Sequence, residues 1–328
     1  MDSIKDVFNK LLVHHGSIKR DFYFVETIDQ HSSTKVGFSP DGFPSLLISS
    51  SSEDKPFEPI QLSGLDAIFN LECSINIDEK VDHGTFHVIT YTEEDIYLRD
   101  FFFEFFEEIF NTNENLSAEL LKNNIEQLAQ LFSYKKNKSL KSIQGLWAEL
   151  FVINTSEDST AWLKNWPEKT RSTFDFAVDH AGIDVKSFAG ANRKHFFKYE
   201  QLHNQSVEQT IILSLCVTED ENGISVFDLY RKIKSKIHDP QLLEKLRKKI
   251  FKLAGDNLSD AFLFNANIAK ETLVILEGKS IPKIQEGTFP SSVTEISFKS
   301  DCTDVPMLPF SQENQKQLLK GTLNFPDQ

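Results

Sequence analysis

Residues 209–218, QTIILSLCVT, form an apolar, β-branched run in which no polar alternation marks a solvent face. Successive side chains of a strand point to opposite sides of its sheet, so a half-buried strand alternates apolar and polar residues. A run without alternation reads as a strand buried on both faces, and other elements must then cover its sheet from both sides. Helical segments are available to do so. In SLKSIQGLWAELFVI, Leu140, Ile143, Trp147, Leu150 and Phe151 make one apolar stripe; Glu149 stands just outside its edge and Gly145 one turn earlier on the same side. SVFDLYRKIKSKI follows the buried run, and PQLLEKLRKKIFKLAG opens on proline and closes on glycine, as a bounded helix does. These segments predict an α/β fold with a mixed sheet flanked by helices.

The flanks read differently. Residues 20 to about 100 alternate as strands do (DFYFVET, TFHVITYT, IYLRDF) between Ser, Asp, Gly and Pro clusters. Ahead of them, DSIKDVFNKLLVHHG reads as an amphipathic helix without the features of a signal peptide. FFFEFFEEIF and SAELLKNNIEQLAQLF then return to a helical period, their phenylalanines expected in the core, and SYKKNKS reads as a linker. KHFFKY is expected as a third strand after a hairpin at 174–188. The last stretch returns to strands (AFLFNANIA, ETLVILEG, VTEISFKS) and a short helix near SQENQKQLLK. The expected division is a β-rich domain over 1–100, a helical connector over 101–136, a core over 137–255 and a β-containing extension over 256–328.

No apolar run approaches bilayer-spanning length. Cys73, Cys216 and Cys302 are too few and too scattered for a disulfide framework or a zinc knuckle, so a cytoplasmic protein is expected. The net charge of −14 argues at first against nucleic acid. It is unevenly spread: Tyr134 to Leu253 holds 20 Lys and Arg against 15 Asp and Glu, a net of +5. The middle of the chain is a mildly basic island.

Within that island lies FDFAVDHAGIDVKSF, residues 174–188: two short apolar runs around a Gly-containing turn, carrying Asp175, Asp179, Asp184 and Lys186. The pattern acid-any-Lys is uninformative alone, for it also occurs at Glu53-Lys55, Asp78-Lys80 and Glu277-Lys279. The last of these forms EGKS, but a phosphate-binding loop needs glycine where Leu273 stands. Context separates Asp184-Lys186 from the rest. In a strand these two share a face while Ile183 and Val185 point to the core. A two- or four-residue turn places Asp175 on that same face; a three-residue turn places it on the other, with Asp179 as the acid to consider. Carboxylates suit Mg²⁺, which polarises a phosphoryl group and lowers the pKa of bound water, and a lysine beside them can orient that water or stabilise developing negative charge.

Helix Glu, strand Asp, then (Asp/Glu)-X-Lys resembles the PD-(D/E)XK nuclease superfamily. QGLWAEL, FDF, IDVKS and YEQL together are similar to a subgroup found in bacterial restriction and phage-defence gene clusters, beside helicase-like and ATPase-like proteins. The resemblance covers about 140 to 218; the subgroup usually has Glu where this chain has Asp184, and Phe174 stands at the Pro of the superfamily name. It implies a restriction-endonuclease-like core and a Mg²⁺-dependent endonuclease acting on DNA, with Mn²⁺ as a substitute ion. The implied catalytic set is Glu149, Asp175, Asp184 and Lys186. Asp175, Asp184 and Glu149 would be metal ligands, joined by the Val185 carbonyl, and Gln201 would stand at the edge of the site. Arg193, Lys194 and Lys198 follow the site strand and are candidate DNA contacts together with Gln201. DNA, a second copy of the chain, and ATPase or helicase proteins of a defence system are the expected partners. A catalytically silent subunit of the same fold and an RNA-directed phosphoesterase are the alternatives. Surface positions are expected for His195 and His203, and a core position for Trp147.

Overall fold

The computed structural model describes residues 2–311, apart from short stretches at 16–20, 29–30, 51–56, 63, 78–79, 114–116, 134–139, 169–171, 179–180, 255–261, 291 and 294. The SYKKNKS linker, Asp179 and the segment SQENQKQLLK therefore lie wholly or almost wholly outside the described residues. The chain divides into two compact units, 1–135 and 136–328.

The first unit runs α1 (Ile4–His15), β1 (Tyr23–Ile28), β2 (His31–Phe38), β3 (Pro44–Ser49), β4 (Ile60–Leu62), β5 (Leu65–Ile77), β6 (Lys80–Tyr91), α2 (Ile96–Thr112) and α3 (Ala118–Ser133). Its strands follow the order β1-β2-β3-β6-β5-β4, and β1 also pairs in parallel with β5, which curls the sheet round on itself. The phenylalanines of α2 are core, as expected: Phe101, Phe102, Phe103, Phe105, Phe106 and Phe110 are all buried. Phe8 of α1 packs between Phe38 and Phe103, with ring centroids 4.9 and 4.8 Å apart. The strand expected at IYLRDF is instead the start of α2. Asp95 accepts from the Leu98 amide at 3.1 Å, so a side-chain cap starts a helix where alternation alone suggested a strand.

The second unit runs α4 (Leu140–Thr155), α5 (Ser159–Lys164), β7 (Phe176–Val178), β8 (Ala181–Phe188), β9 (Lys194–Lys198), α6 (Tyr199–Leu202), β10 (Gln209–Cys216), β11 (Glu219–Ile224), α7 (Val226–Lys234), α8 (Pro240–Ala254), α9 (Ala266–Thr272), β12 (Val274–Glu277), β13 (Ser297–Asp301) and β14 (Leu308–Pro309). Its main sheet has the order β14-β12-β10-β8-β7. β8 and β10 are parallel, and the other neighbours are antiparallel. β10 is central, and residues 211–215 are fully buried, as its unbroken apolar run requires. Helix α4 packs on β8, α5, α7 and α8. It is buried on more than a stripe: Leu146, Trp147, Ala148 and Leu150 to Ile153 all lie in the core. The indole of Trp147 donates to the Ile224 carbonyl at 2.8 Å.

KHFFKY does form a strand, but β9 does not extend the main sheet. It pairs with β13 in a separate two-stranded ribbon, whose inner side joins Phe197 to Leu202, Ile212, Leu276, Ile281 and Cys302 in one buried cluster. At AFLFNANIA the expected strand is absent among the described residues, and from Ala266 onward the chain is helix α9. Phe264 makes only isolated bridges, and the Asn265 side chain accepts from the amides of Asn267 and Ile268 to start α9. Among the described residues no helix is long and apolar enough to cross a membrane.

Candidate active site

The hairpin β7–β8 sets the geometry. Val178 pairs with Ala181 and Phe176 with Ile183, so two residues separate the paired strands. Continuing that register brings Asp175 opposite Asp184, on the same face, as a two-residue turn demands. Packing holds the register from outside the strands. The Phe174 ring occupies the place where a side chain on residue 182 would begin, 2.3 Å from such a Cβ, so Gly182 alone lets the ring lie flat on β8. Phe176 packs edge-on against Trp162, ring centroids 4.9 Å apart.

Asp175 then reaches across. Its carboxylate accepts from the Val185 amide at 2.7 Å and hydrogen-bonds the carboxyl group of Asp184. Burial first, and then the charges of Asp184 and Glu149, push the Asp175 carboxyl well above the ordinary carboxylate range. Asp184 is itself 2% exposed. One of its oxygens receives the Lys186 ammonium at 2.6 Å and the Gln201 amide at 3.0 Å. Burial opposes the charge on Lys186, but Asp184, aided by Asp175 and Glu149, outweighs it and raises the lysine above its usual pKa. The ammonium also lies 5.5 Å from the centroid of the Phe197 ring beneath it.

Glu149 is brought in by α4. It accepts from the Trp166 indole at 2.5 Å, and Lys249 of α8 lies over that same indole, 3.9 Å from the ring centroid. Burial pushes the Glu149 carboxyl up to about 7, although Lys249 and the Trp166 hydrogen bond pull the other way. Burial lowers Lys249 to about 8. Gly145 leaves no gap filled by a neighbour: a Cβ there would meet nothing within 4 Å.

Glu149, Asp175, Asp184 and Lys186 thus fall in one electrostatically coupled cluster. Among the described residues, however, no three His, Cys, Asp or Glu side chains stand close enough to hold an ion together. The three-carboxylate ligand set is therefore not assembled here, because Glu149 is engaged by Trp166 while Asp175 and Asp184 turn to each other. The Asp175–Asp184 pair still suits a hard divalent cation. Two buried carboxyls that share a hydrogen bond need a positive charge between them to ionise together, and Mg²⁺ is commonly held by one or two carboxylates with water and phosphate oxygens completing its shell.

Two expected DNA contacts lie elsewhere than expected. Arg193 is buried, its guanidinium donating to the Ser214 carbonyl at 2.9 Å, the Ser214 hydroxyl at 2.6 Å and the Thr272 carbonyl at 3.1 Å. It knits β10 to α9 and offers nothing to a phosphate. Gln201, also buried, spends its amide inside the protein: it donates to Asp184 and to the Thr173 carbonyl at 3.2 Å, and accepts from the Lys198 amide at 2.9 Å. It positions Asp184. Lys194 and Lys198 are exposed. His195 is not at the surface but 2% exposed, held near Ser214 Oγ at 2.7 Å, and burial keeps its ring neutral with a pKa of about 3.

Two contributors escaped the sequence reading. Neither Trp166 nor Lys249, whose basic helix reads as a solvated face, is marked by the sequence; only the fold brings α8 against the indole that holds Glu149.

No curated protein and no solved structure matches the chain. A family model described as "Putative PD-(D/E)XK family member, (DUF4420)" matches residues 5–303, nearly the whole chain, and its name carries the pattern that Asp175, Asp184 and Lys186 spell out. The chain belongs to that family.

Proposed function

We propose that the protein is a metal-dependent endonuclease that hydrolyses DNA phosphodiester bonds in a bacterial restriction or phage-defence system. The observation that carries this reading is the buried Asp175–Asp184 pair with the Lys186 ammonium 2.6 Å from Asp184. Asp175 and Asp184 would hold Mg²⁺, or Mn²⁺ in its place, with the Val185 carbonyl as a further oxygen. The ion would supply polarisation of the phosphoryl group and a water of lowered pKa.

The chain's own residues divide the remaining work. Gln201 fixes the orientation of Asp184. The Val185 amide fixes Asp175, so both acids are tied to one strand. Lys186 points its ammonium into the same cluster, where it can orient the attacking water and stabilise negative charge developing on the phosphoryl oxygens. Glu149, with its pKa near 7, can exchange a proton at neutral pH, and Trp166, with Lys249 over its ring, holds it in place. Metal-carboxylate chemistry does not specify the sugar, so the choice of DNA over RNA rests on the resemblance to restriction enzymes. ATPase or helicase proteins of a defence system and a second copy of the chain are the proposed partners, and the cytoplasm the proposed site of action.

The experiment is incubation of the purified chain with supercoiled plasmid, phage DNA and RNA, each with Mg²⁺, Mn²⁺ or EDTA. Nicking or linearisation of plasmid in either ion, abolished by EDTA, is the expected result. DNA binding without hydrolysis in any condition would favour the catalytically silent subunit, and cleavage of RNA alone the RNA-directed phosphoesterase.

A further inference from the structure

Strand β9 alternates strictly. His195 and Phe197 are buried, while Lys194, Phe196 and Lys198 are exposed. Its antiparallel partner β13 sets Lys299 opposite Phe196, Ser297 opposite Lys198 and Asp301 opposite Lys194. The outer side of the ribbon thus carries one phenylalanine, 62% exposed, among three lysines and one acid. The Lys299 ammonium lies 5.3 Å from the Phe196 ring centroid. Lys194 is 3.5 Å from Asp301.

Lysines on a short exposed ribbon are explained by the need to block edge-to-edge pairing. A phenylalanine at their centre works against that need, since its ring in water forfeits the free energy of burial and invites association. An aromatic face ringed by ammonium groups suits a ligand that offers flat rings and negative charge together. Beside it, Phe188, Ala189, Ala191, Asn192, Lys194 and Lys299 line an open pocket of about 460 Å³, within the range that holds small organic groups. The pocket begins where the candidate active-site strand ends. Phe188 is two residues beyond Lys186 on β8, about 7 Å by strand rise. Gly190, at φ +91°, turns the chain from β8 toward β9, and a side chain there would meet only open space.

We propose that the outer face of the β9–β13 ribbon seats unpaired nucleotides, with a base stacked on Phe196 and phosphates held by Lys198 and Lys299. The assignment rests on the nuclease reading of the chain for the class of its ligand. Unpaired nucleotides are specified because a base inside a duplex keeps its faces in the stack, whereas single strands lay theirs on exposed aromatic rings and track cationic grooves.

The test is fluorescence anisotropy of the full chain in EDTA, with fluorescein-labelled oligo(dT) and a blunt duplex of equal length, over a salt series. Phe196→Ala is expected to weaken oligo(dT) binding by roughly 5- to 150-fold and duplex binding far less. Phe196→Trp, which restores a stacking face, is expected to restore the affinity. Lys299→Ala should weaken both ligands and reduce the salt dependence. Oligo(dT) binding unchanged in Phe196→Ala, or absent in the wild type, overturns the proposal. So does displacement of oligo(dT) by polyglutamate as effective as by unlabelled oligo(dT), which would assign the face to an acidic protein segment. Because binding is read without metal, failure here is separate from failure of the nuclease reading, which appears as an absence of Mg²⁺-dependent cleavage while oligo(dT) still binds through Phe196.

Discussion

The carboxylate of Asp175, which precedes β7, accepts a hydrogen bond from the main-chain amide of Val185 in the middle of β8, 2.7 Å away. The residue between the two acids and Lys186 is thereby used as a clamp. It holds Asp175 against Asp184 without spending either side chain of the Asp184-Val185-Lys186 tripeptide. Substituting Asp175→Asn keeps an acceptor for that amide while removing the ionisable carboxyl. Thermal stability is expected to change by no more than about 1 kcal/mol, the scale of one exchanged hydrogen bond. Mg²⁺ or Mn²⁺ binding, measured by calorimetry, should fall strongly, because one of two carboxylates is gone. A variant that binds metal as the wild type does would remove Asp175 from the ligand set.

Glu149 is held by Trp166, and the charge of Lys249, which lies over that indole, acts on it. Both lower a carboxyl pKa that burial has raised to about 7. Lys249→Met removes a positive charge that favours the carboxylate, so the Glu149 pKa should rise further. Trp166→Phe removes the indole donor and should act in the same direction, at a stability cost of about 1–3 kcal/mol for the unpaired buried acceptor. Carbon-detected NMR titration of the glutamate carboxyls checks both. A Glu149 midpoint that falls or stays fixed in Lys249→Met would contradict the electrostatic influence of that lysine.

The hairpin was legible in the sequence because it is local. Alternation put Asp184 and Lys186 on one face but left that of Asp175 to the turn length, which the register settles, and the unbroken apolar run marked β10 as the buried centre. Helix α4 and its Glu149 were likewise visible from a helical period. What stayed hidden depends on partners distant in sequence. Arg193 in the loop segment ANRK looks solvated until Ser214 and Thr272 supply three acceptors. Lys249 is one of several lysines on its helix until Trp166 selects it. Two errors of element type, at IYLRDF and AFLFNANIA, arose where caps by Asp95 and Asn265 overrode a strand-like composition. The alternation of β9 was readable, and would have placed His195 inside.

The buried position of Arg193 gives a clean contrast with a DNA contact. Arg193→Ala leaves the Ser214 and Thr272 carbonyls without their donor inside the fold, and about 2–4 kcal/mol of stability should be lost. DNA affinity per folded molecule should not change. Thermal melts paired with binding measured on the folded fraction decide it; a large loss of affinity with an unchanged melt would return Arg193 to the DNA surface.

Stability of the metal-free protein should depend on pH through the raised carboxyls. Glu149 and Asp175 bind protons more tightly in the folded chain than in the unfolded one. Their contribution favours folding at low pH and is lost as pH rises from the ordinary carboxylate range toward about 7, where Glu149 ionises. In EDTA, the melting temperature of the wild type should therefore fall over that window relative to the Glu149→Gln, Asp175→Asn double variant, which lacks both groups. Mg²⁺ should reverse the trend, since a cation replaces the proton between the acids. A wild-type curve parallel to that of the double variant would show that the carboxyls are not perturbed.

The central claim is that the cluster hydrolyses phosphodiesters, and the most direct measurement compares wild type, Asp184→Ala and Lys186→Ala in plasmid cleavage and in metal-dependent thermal stabilisation. Both variants should lose cleavage, Lys186→Ala by about 10²–10³ in rate for one preorganised charge. Only Asp184→Ala should also lose the stabilisation by Mg²⁺ or Mn²⁺, because Lys186→Ala keeps both carboxylates. Both should remain folded, since Ile183 and Val185 carry the packing of β8. The same background of cleavage in all three proteins would contradict the account and leave the fold to recognition or assembly.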